Sequence, residues 1–144
     1  MKSLFGGPAY KIISDRLAIT CWNPIFAKKL DQAINDSRES LLPWMPWAKA
    51  TPTLVERTNL LRSFRSEFDT DTDYVYGVFD AEENEVIGGS GLHKRVGAHG
   101  FEIGYWINIH HQNKGYATET SASLIRAGFE LWLFGNSLGF IVKK

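Results

Sequence analysis

The sequence predicts an α+β domain, an α/β sandwich in which helices flank a largely antiparallel sheet. Three strand-like runs follow one another between Tyr74 and Ile109, and helical periodicities lie both before and after them. A length of 144 residues allows one domain with a real core and no second one, so 1–144 is expected to be a single domain.

The elements follow in chain order. Ile12 to Trp22 mixes apolar and polar residues as a first strand does. Asn23-Pro24 reads as a helix start, with Asn as N-cap and Pro at the first helical position. Phe26, Leu30 and Ala33 then share one face. In Leu41-Leu42-Pro43-Trp44-Met45-Pro46-Trp47 two prolines forbid a regular helix. Thr53-x-x-Glu56 is a capping box, opening a helix to about Phe68 with Leu54, Leu61, Phe64 and Phe68 inward.

After the loop Asp69–Asp73, Tyr74 to Asp80 reads as a strand, Glu82-Glu83-Asn84 as a turn, and Glu85 to Leu92 as a second strand. A turn near 97–100 leads to the run Phe101 to Ile109. There Phe101, Ile103, Tyr105, Ile107 and Ile109 alternate with Glu102, Gly104, Trp106 and Asn108. A helix from about Lys114 to Trp132 closes the pattern, with Ala117, Leu124, Ala127 and Leu131 on its buried side.

Composition narrows the function classes. Sixteen Lys+Arg balance sixteen Asp+Glu, which removes the footprint of a general nucleic-acid or acidic-membrane binder. Cys21 is the only cysteine, excluding an internal disulfide framework and a cysteine-rich zinc site. Met1 to Tyr10 lacks a signal-peptide apolar run, and no stretch approaches the roughly 20 apolar residues of a membrane span. A cytoplasmic setting is therefore expected, with neither membrane nor nucleic acid as partner. The five tryptophans are many for this length, and Trp44, Trp47 and Trp106 are candidate walls of a pocket.

Chemistry concentrates in Gln112-Asn113-Lys114-Gly115-Tyr116-Ala117, between a patterned strand and a helix. A loop there can aim several backbone N–H groups, with the positive end of the helix dipole, at a phosphate or pyrophosphate. Gly115 permits close backbone approach, and the small Ala117 lets the helix sit tight on the sheet. The segment has neither the Lys-Ser/Thr ending of a P-loop nor the three glycines of a dinucleotide fingerprint.

Phe101-Glu102-Ile103-Gly104-Tyr105-Trp106-Ile107, followed by Gln112-x-x-Gly115-Tyr116-Ala117-Thr118-Glu119, resembles the GNAT superfamily of acyl-CoA-dependent N-acyltransferases, whose signature is Gln/Arg-x-x-Gly-x-Gly/Ala. With Trp44-Met45-Pro46-Trp47, these runs resemble the branch of bacterial enzymes that acetylate the N-terminal alanine or serine of ribosomal proteins. The resemblance spans about residues 10–132 and implies the GNAT fold and acetyl-CoA as co-substrate. It implies that backbone around Ile107, Asn108 and Ile109 pairs with the pantetheine arm. Gln112 opens the pyrophosphate loop, whose amides run over Asn113, Lys114, Gly115, Tyr116, Ala117 and Thr118. The thioester would lie near Gly104 and Trp106, where direct attack by the amine develops an oxyanion. Glu102 is the candidate general base; for an α-amine of pKa about 7.7–8.0, a carboxylate acting through water would suffice.

The expected acceptor is a protein N-terminus, with a polyamine or antibiotic amine, or coenzyme binding without turnover, as alternatives. His110 and His111 beside the loop read as exposed loop residues, and with His93 and His99 they form no metal-ligand spacing. Asp69-x-Asp71-x-Asp73 imitates the start of a calcium loop but lacks its Gly and Glu, so it reads as a solvated loop. Gly88-Gly89-Ser90-Gly91 lies within a strand and reads as a bulge or close packing. Family members continue past the motif helix with a strand, a helix and a terminal strand pair, whereas here only the tail 133–144 remains, as if abbreviated. Leu138 to Val142 is expected to supply one replacement strand. An open sheet edge would favour a homodimer through this C-terminal region.

Overall fold

In this computed structural model residues 8–97, 100–132 and 139–143 are described, with 131–132 and 139–143 described by their backbone path. The segment expected as one first strand is a hairpin of β1 (Lys11–Ile13) and β2 (Leu17–Cys21), with Ile12 opposite Ile19. Ser14-Asp15-Arg16 makes the reversal, closed by Ser14 N–H on the Leu17 carbonyl at 3.0 Å.

Asn23 caps the next segment as expected, accepting from the Ile25 N–H at 3.0 Å, but Pro24–Phe26 is a single 3₁₀ turn ahead of α1 (Ala27–Leu41). Leu30, Ala33, Ile34 and Leu41 form its buried stripe. The proline segment makes a 3₁₀ turn at Pro46–Lys49, held by the Arg38 guanidinium on the carbonyls of Ala48 and Ala50. Both bonds of the capping box open α2 (Leu54–Asp69). Leu61 and Phe68 are buried and Phe64 packs beside them, but Leu54 is 52% exposed, contrary to expectation. One turn on, the inward position belongs to buried Arg57, which meets Asp31 of α1 at 2.6 Å. The two helices therefore join there through a charge pair.

β3 (Tyr74–Asp80), β4 (Val86–Leu92), β5 (Gly100–Ile107), α3 (Tyr116–Trp132) and β6 (Gly139–Lys143) complete the fold. The strands lie in one sheet in chain order, antiparallel except for β5–β6, which is parallel. The expected replacement strand is thus present as β6. The expected turn at 97–100 falls partly on residues 98–99, outside the described residues, as do His99, residues 133–138 and the Leu131 side chain.

Two cores sandwich the sheet. Leu17, Ile19, Tyr76, Val78 and Ile103 meet Leu124 of α3 on one face. Ala18, Trp22, Phe79 and Val86 meet Leu30, Ile34 and Leu61 of α1 and α2 on the other. Along β5, Phe101 and Ile103 belong to the α3 side and Trp106 to the α1/α2 side, so the expected alternation holds. It stops two residues early. Ile109 is not in the strand but opens a 3₁₀ turn, Ile109–His111, because Asn108 caps it by accepting from the His110 N–H at 3.1 Å. α3 begins at Tyr116 rather than Lys114, because Asn113 and Gly115 have φ of 63° and 81°, which no right-handed helix admits. Among the described residues no helix is long and apolar enough to cross a membrane.

The glycines of β4 serve close packing. A Cβ on Gly88 would lie 2.0 Å from the Trp106 carbonyl oxygen, and one on Gly89 would lie 2.4 Å from the indole Nε1. A Cβ on Gly104, across on β5, meets nothing within 4 Å. Gly88→Ala must therefore push the strands apart and is expected to cost about 3 kcal/mol, whereas Gly104→Ala leaves stability unchanged. Urea unfolding of both variants checks this, and equal midpoints would contradict it.

Candidate functional site

The site begins where β5 ends. Asn108 is buried, and three of its groups are engaged: its N–H donates to the Ile87 carbonyl (2.8 Å), its side-chain N–H to the Val86 carbonyl (3.0 Å), and its side-chain oxygen accepts from His110. Ser37 of α1, also buried, accepts from the Ile109 N–H at 2.9 Å and donates to Asn108 Oδ1 at 3.4 Å. One helix and two strands thus meet on a single amide and hydroxyl, and the chain leaves the sheet at a defined angle.

The loop that follows carries the left-handed residues Asn113 and Gly115. Alternating backbone handedness of this kind turns successive N–H groups inward into an anion-holding concavity. The first N–H to close a helical turn is that of Glu119, on the Gly115 carbonyl at 3.1 Å. Those ahead of it are the orphan donors of a helix start, at the positive end of the dipole. Gln112 folds back, its side-chain N–H donating to the Ile107 carbonyl at 3.3 Å.

β5 supplies the second part. Glu102 exchanges both backbone bonds with His93 (2.8 and 2.9 Å), and Asn108 bonds Ile87 in the same phase. Antiparallel alternation then directs the backbone groups of Gly104 and Trp106 toward β4, and those of Tyr105 and Ile107 toward the opposite edge. On that edge β6 pairs only as far as Gly104, opposite Lys143. Among the described residues, β5 is therefore flanked by β6 over Gly100–Gly104, with His93 bridged to Glu102 on the other side, and by β4 alone over Tyr105–Ile107.

A cavity of about 400 Å³ lies at this open half. Tyr105, Trp106 and Ile107 form its floor, and Gln112, Asn113, Gly115, Tyr116 and Ala117 the loop side. Ser40 and Leu41 at the end of α1, with Trp44 and Met45, close the far wall, and His111 contributes a ring. No carboxylate or cationic Lys or Arg is among these residues. Trp47 stands behind the wall, its ring edge-on to Trp106 at 5.9 Å. Trp44 is 63% exposed, so its indole is presented to solvent at the mouth.

The remaining expected residues lie outside this cavity. Lys114 and Thr118 are exposed on the loop and first helical turn. Asn108 is taken up in the junction, and the Ile109 N–H is committed to Ser37. Gly104 is on β5 between the two halves. Glu102 is 7% exposed, with the Arg95 guanidinium on its carboxylate at 3.1 Å. It shares a strand face with Trp106 but stands four residues away, about 13 Å at strand rise.

Other candidate groups have local partners. His93 meets Asp73 at 2.8 Å, His110 meets Asp36 at 3.1 Å, and His111 Nε2 meets Glu85 at 3.2 Å. The Nδ1 of His111 is buried without a hydrogen-bond partner, beside the cavity it lines. In the aspartate loop Asp69 accepts from Tyr10, Asp71 from Tyr74, and Asp73 from His93. Burial pushes the Cys21 thiol up to about 11. Sequence reasoning missed Ser37, Ser40, Leu41, Met45 and Tyr105, whose roles arise only when α1 is laid beside β5.

A family model described as an acetyltransferase (GNAT) domain matches residues 23–137. N-acetyltransferase YnaD of Bacillus subtilis (strain 168), itself uncharacterized, is 32% identical over 69 residues, 48% of this chain and 41% of that protein. The chain thus matches less than half the length of this curated relative. A structure from Vibrio cholerae, proposed to be a ribosomal-protein-serine acetyltransferase, superposes with a TM-score of 0.74 at 23% identity, covering 88% of this chain and 71% of that one. The ribosomal L7/L12 alpha-N-protein acetyltransferase RimL in complex with coenzyme A gives 0.75 at 17% identity, over 92% and 73%. These likenesses concern the fold, but the domain match covers most of the chain and includes the junction, the loop and the open half of β5. The chain belongs to the GNAT acetyltransferase family.

Proposed function

We propose that this chain transfers the acetyl group of acetyl-CoA to a primary amine, the N-terminal α-amine of a protein such as a ribosomal protein. The observation that carries the acceptor class is the cavity at the open half of β5, whose walls include Leu41, Trp44, Met45, Tyr105 and Trp106 and whose described lining residues include no carboxylate. A polyamine or aminoglycoside holds several positive charges, and burying them unpaired in such a cavity is costly. A peptide start brings one amine of pKa about 7.7–8.0, which is readily neutral. The two ribosomal-protein enzymes of similar fold support the same acceptor.

Acetyl-CoA fits the residues present, and when bound it supplies an acetyl group activated as a thioester. The backbone of Tyr105 and the Ile107 N–H would receive the pantetheine arm at the edge β6 leaves uncovered. The amides of Asn113 to Thr118 would hold the pyrophosphate. Gly104, with open space over its Cα, would admit the thioester, while Trp106, backed by Trp47, and Trp44 exclude water from the acceptor side. Glu102 is proposed as the group that removes the amine proton; its distance from Trp106 requires a water relay. A covalent acyl-enzyme at Cys21 is disfavoured, because burial keeps its thiol protonated near neutrality.

Release of free thiol from acetyl-CoA with Ser- or Ala-starting peptides tests the reading, and spermidine is expected to be at least about tenfold poorer. Coenzyme binding without thiol release from any amine would leave a binding domain in place of an enzyme. Trp44→Ala, at an exposed position, should raise the peptide KM about five- to tenfold while leaving coenzyme affinity unchanged; an unchanged peptide KM removes Trp44 from the acceptor site. We also propose a cytoplasmic homodimer through the outer edge of β6, since an uncovered strand edge favours pairing. Light scattering at high micromolar concentration should show twice the chain mass, and a clean monomer overturns the dimer.

A further inference from the structure

The turn between β1 and β2 reaches across to the phosphate loop, and its contacts converge on Arg16. Arg16 Nε lies 2.8 Å from Glu119 Oε1, and its backbone N–H donates to Glu119 Oε2 at 2.9 Å. The Ser14 hydroxyl donates to that same oxygen. A second arm of the guanidinium, Nη1, donates to the Lys114 carbonyl at 2.9 Å. Its carbon stands 4.4 Å over the Tyr116 ring, and Nη2 would be 3.4 Å from a Cβ on Gly115. One side chain thus touches Lys114 and Tyr116 and lies beside the Cβ position of Gly115 between them, together with the carboxylate one turn further along α3.

Burial pushes the Glu119 carboxyl up, but the Ser14 hydroxyl, the Arg16 N–H and the guanidinium outweigh it, holding the carboxyl below its ordinary range. Glu119 is therefore ionised at neutral pH, facing the Arg16 guanidinium. Its geometry also has a direction. Occupying the Lys114 carbonyl from the outside fixes that peptide plane between the two left-handed residues Asn113 and Gly115, and so fixes which way the neighbouring N–H groups face.

We infer that Arg16 is a positioning residue for the phosphates of coenzyme A, clamping the Asn113–Thr118 loop from the β1–β2 turn in concert with Ser14 and Glu119. The inference rests on the proposed reading of that loop. It makes a distinction that a general stabilising contact does not. The clamp acts on the phosphate end of the ligand, so its loss should weaken coenzyme A and leave pantetheine, which lacks the phosphates, unaffected.

Calorimetric titration of the full chain with coenzyme A and with pantetheine provides the test. In the unsubstituted protein coenzyme A should bind more tightly; equal affinities would overturn the loop reading itself. Arg16→Gln should lower coenzyme A affinity about tenfold, the worth of one charge-assisted hydrogen bond, with pantetheine unchanged. In steady state the acetyl-CoA KM should rise while kcat holds. Arg16→Lys keeps the charge but cannot span Glu119 and the Lys114 carbonyl together, so it should recover only part of the loss. Ser14→Ala, which retains the ion pair, should show a smaller shift in the same direction and carries the test if Arg16→Gln does not fold. Full recovery with Arg16→Lys, an unchanged coenzyme A affinity in Arg16→Gln, or equal losses for both ligands would each overturn the clamp.

Discussion

The uneven pairing of β5 is the constraint on which the candidate site depends. A strand inside a sheet spends its backbone groups on two neighbours, and a strand at an edge leaves half of them to solvent. Among the described residues β5 does both within eight positions: β6 accompanies Gly100–Gly104, while β4 alone accompanies Tyr105–Ile107. The groups left over, those of Tyr105 and the Ile107 N–H, are amide-pairing surface of the kind an extended, amide-containing ligand completes as an added strand. The cavity opens there because the sheet stops being two-sided there.

That geometry needs β5 to end at the right residue, which is what the Asn108–Ser37 junction accomplishes. Had the strand run on to Ile109, the loop would have begun two residues later and further from α1. Instead the Ile109 N–H turns away to a buried hydroxyl, and a 3₁₀ turn delivers the loop beside the open edge. Trp106 is held in the same way, by absence. Gly88 and Gly89 leave the space in which its carbonyl and indole lie, so the pocket floor rests on backbone rather than on another side chain.

Much of this was legible in the chain. The period-2 run at Phe101–Ile107 and the capping box at Thr53 are local signals, and local signals survive folding. So was Gly115, whose positive φ is a property the residue type advertises. What failed was where a tertiary partner changed a local preference. Leu54 is exposed because Arg57 and Asp31 take the inward place. The long first strand divides because Ser14-Asp15-Arg16 turns, a polar triplet inside a run that is otherwise mostly apolar. The strand pattern assigns Tyr105 to one face, whereas the candidate site uses its backbone, which no side-chain pattern reports.

Arg16 shows why the loop proposed to hold phosphate is marked in the sequence while its support is not. The loop is contiguous, six residues between a strand and a helix, and the chemistry proposed for it rests on their spacing. The clamp joins positions 98 and 103 residues apart, and nothing in Ser14-Asp15-Arg16 distinguishes it from any polar turn. The balanced composition bears on the same point. With sixteen charges of each sign, the net charge supplies no general positive field for a polyanionic ligand. The proposed clamp relies instead on backbone dipoles aimed by an ion pair, and such a pair acts only if the segments bearing it are brought together. On this reading the β1–β2 hairpin is more than the sheet's first edge, because its turn supplies the charge that sets the loop's direction.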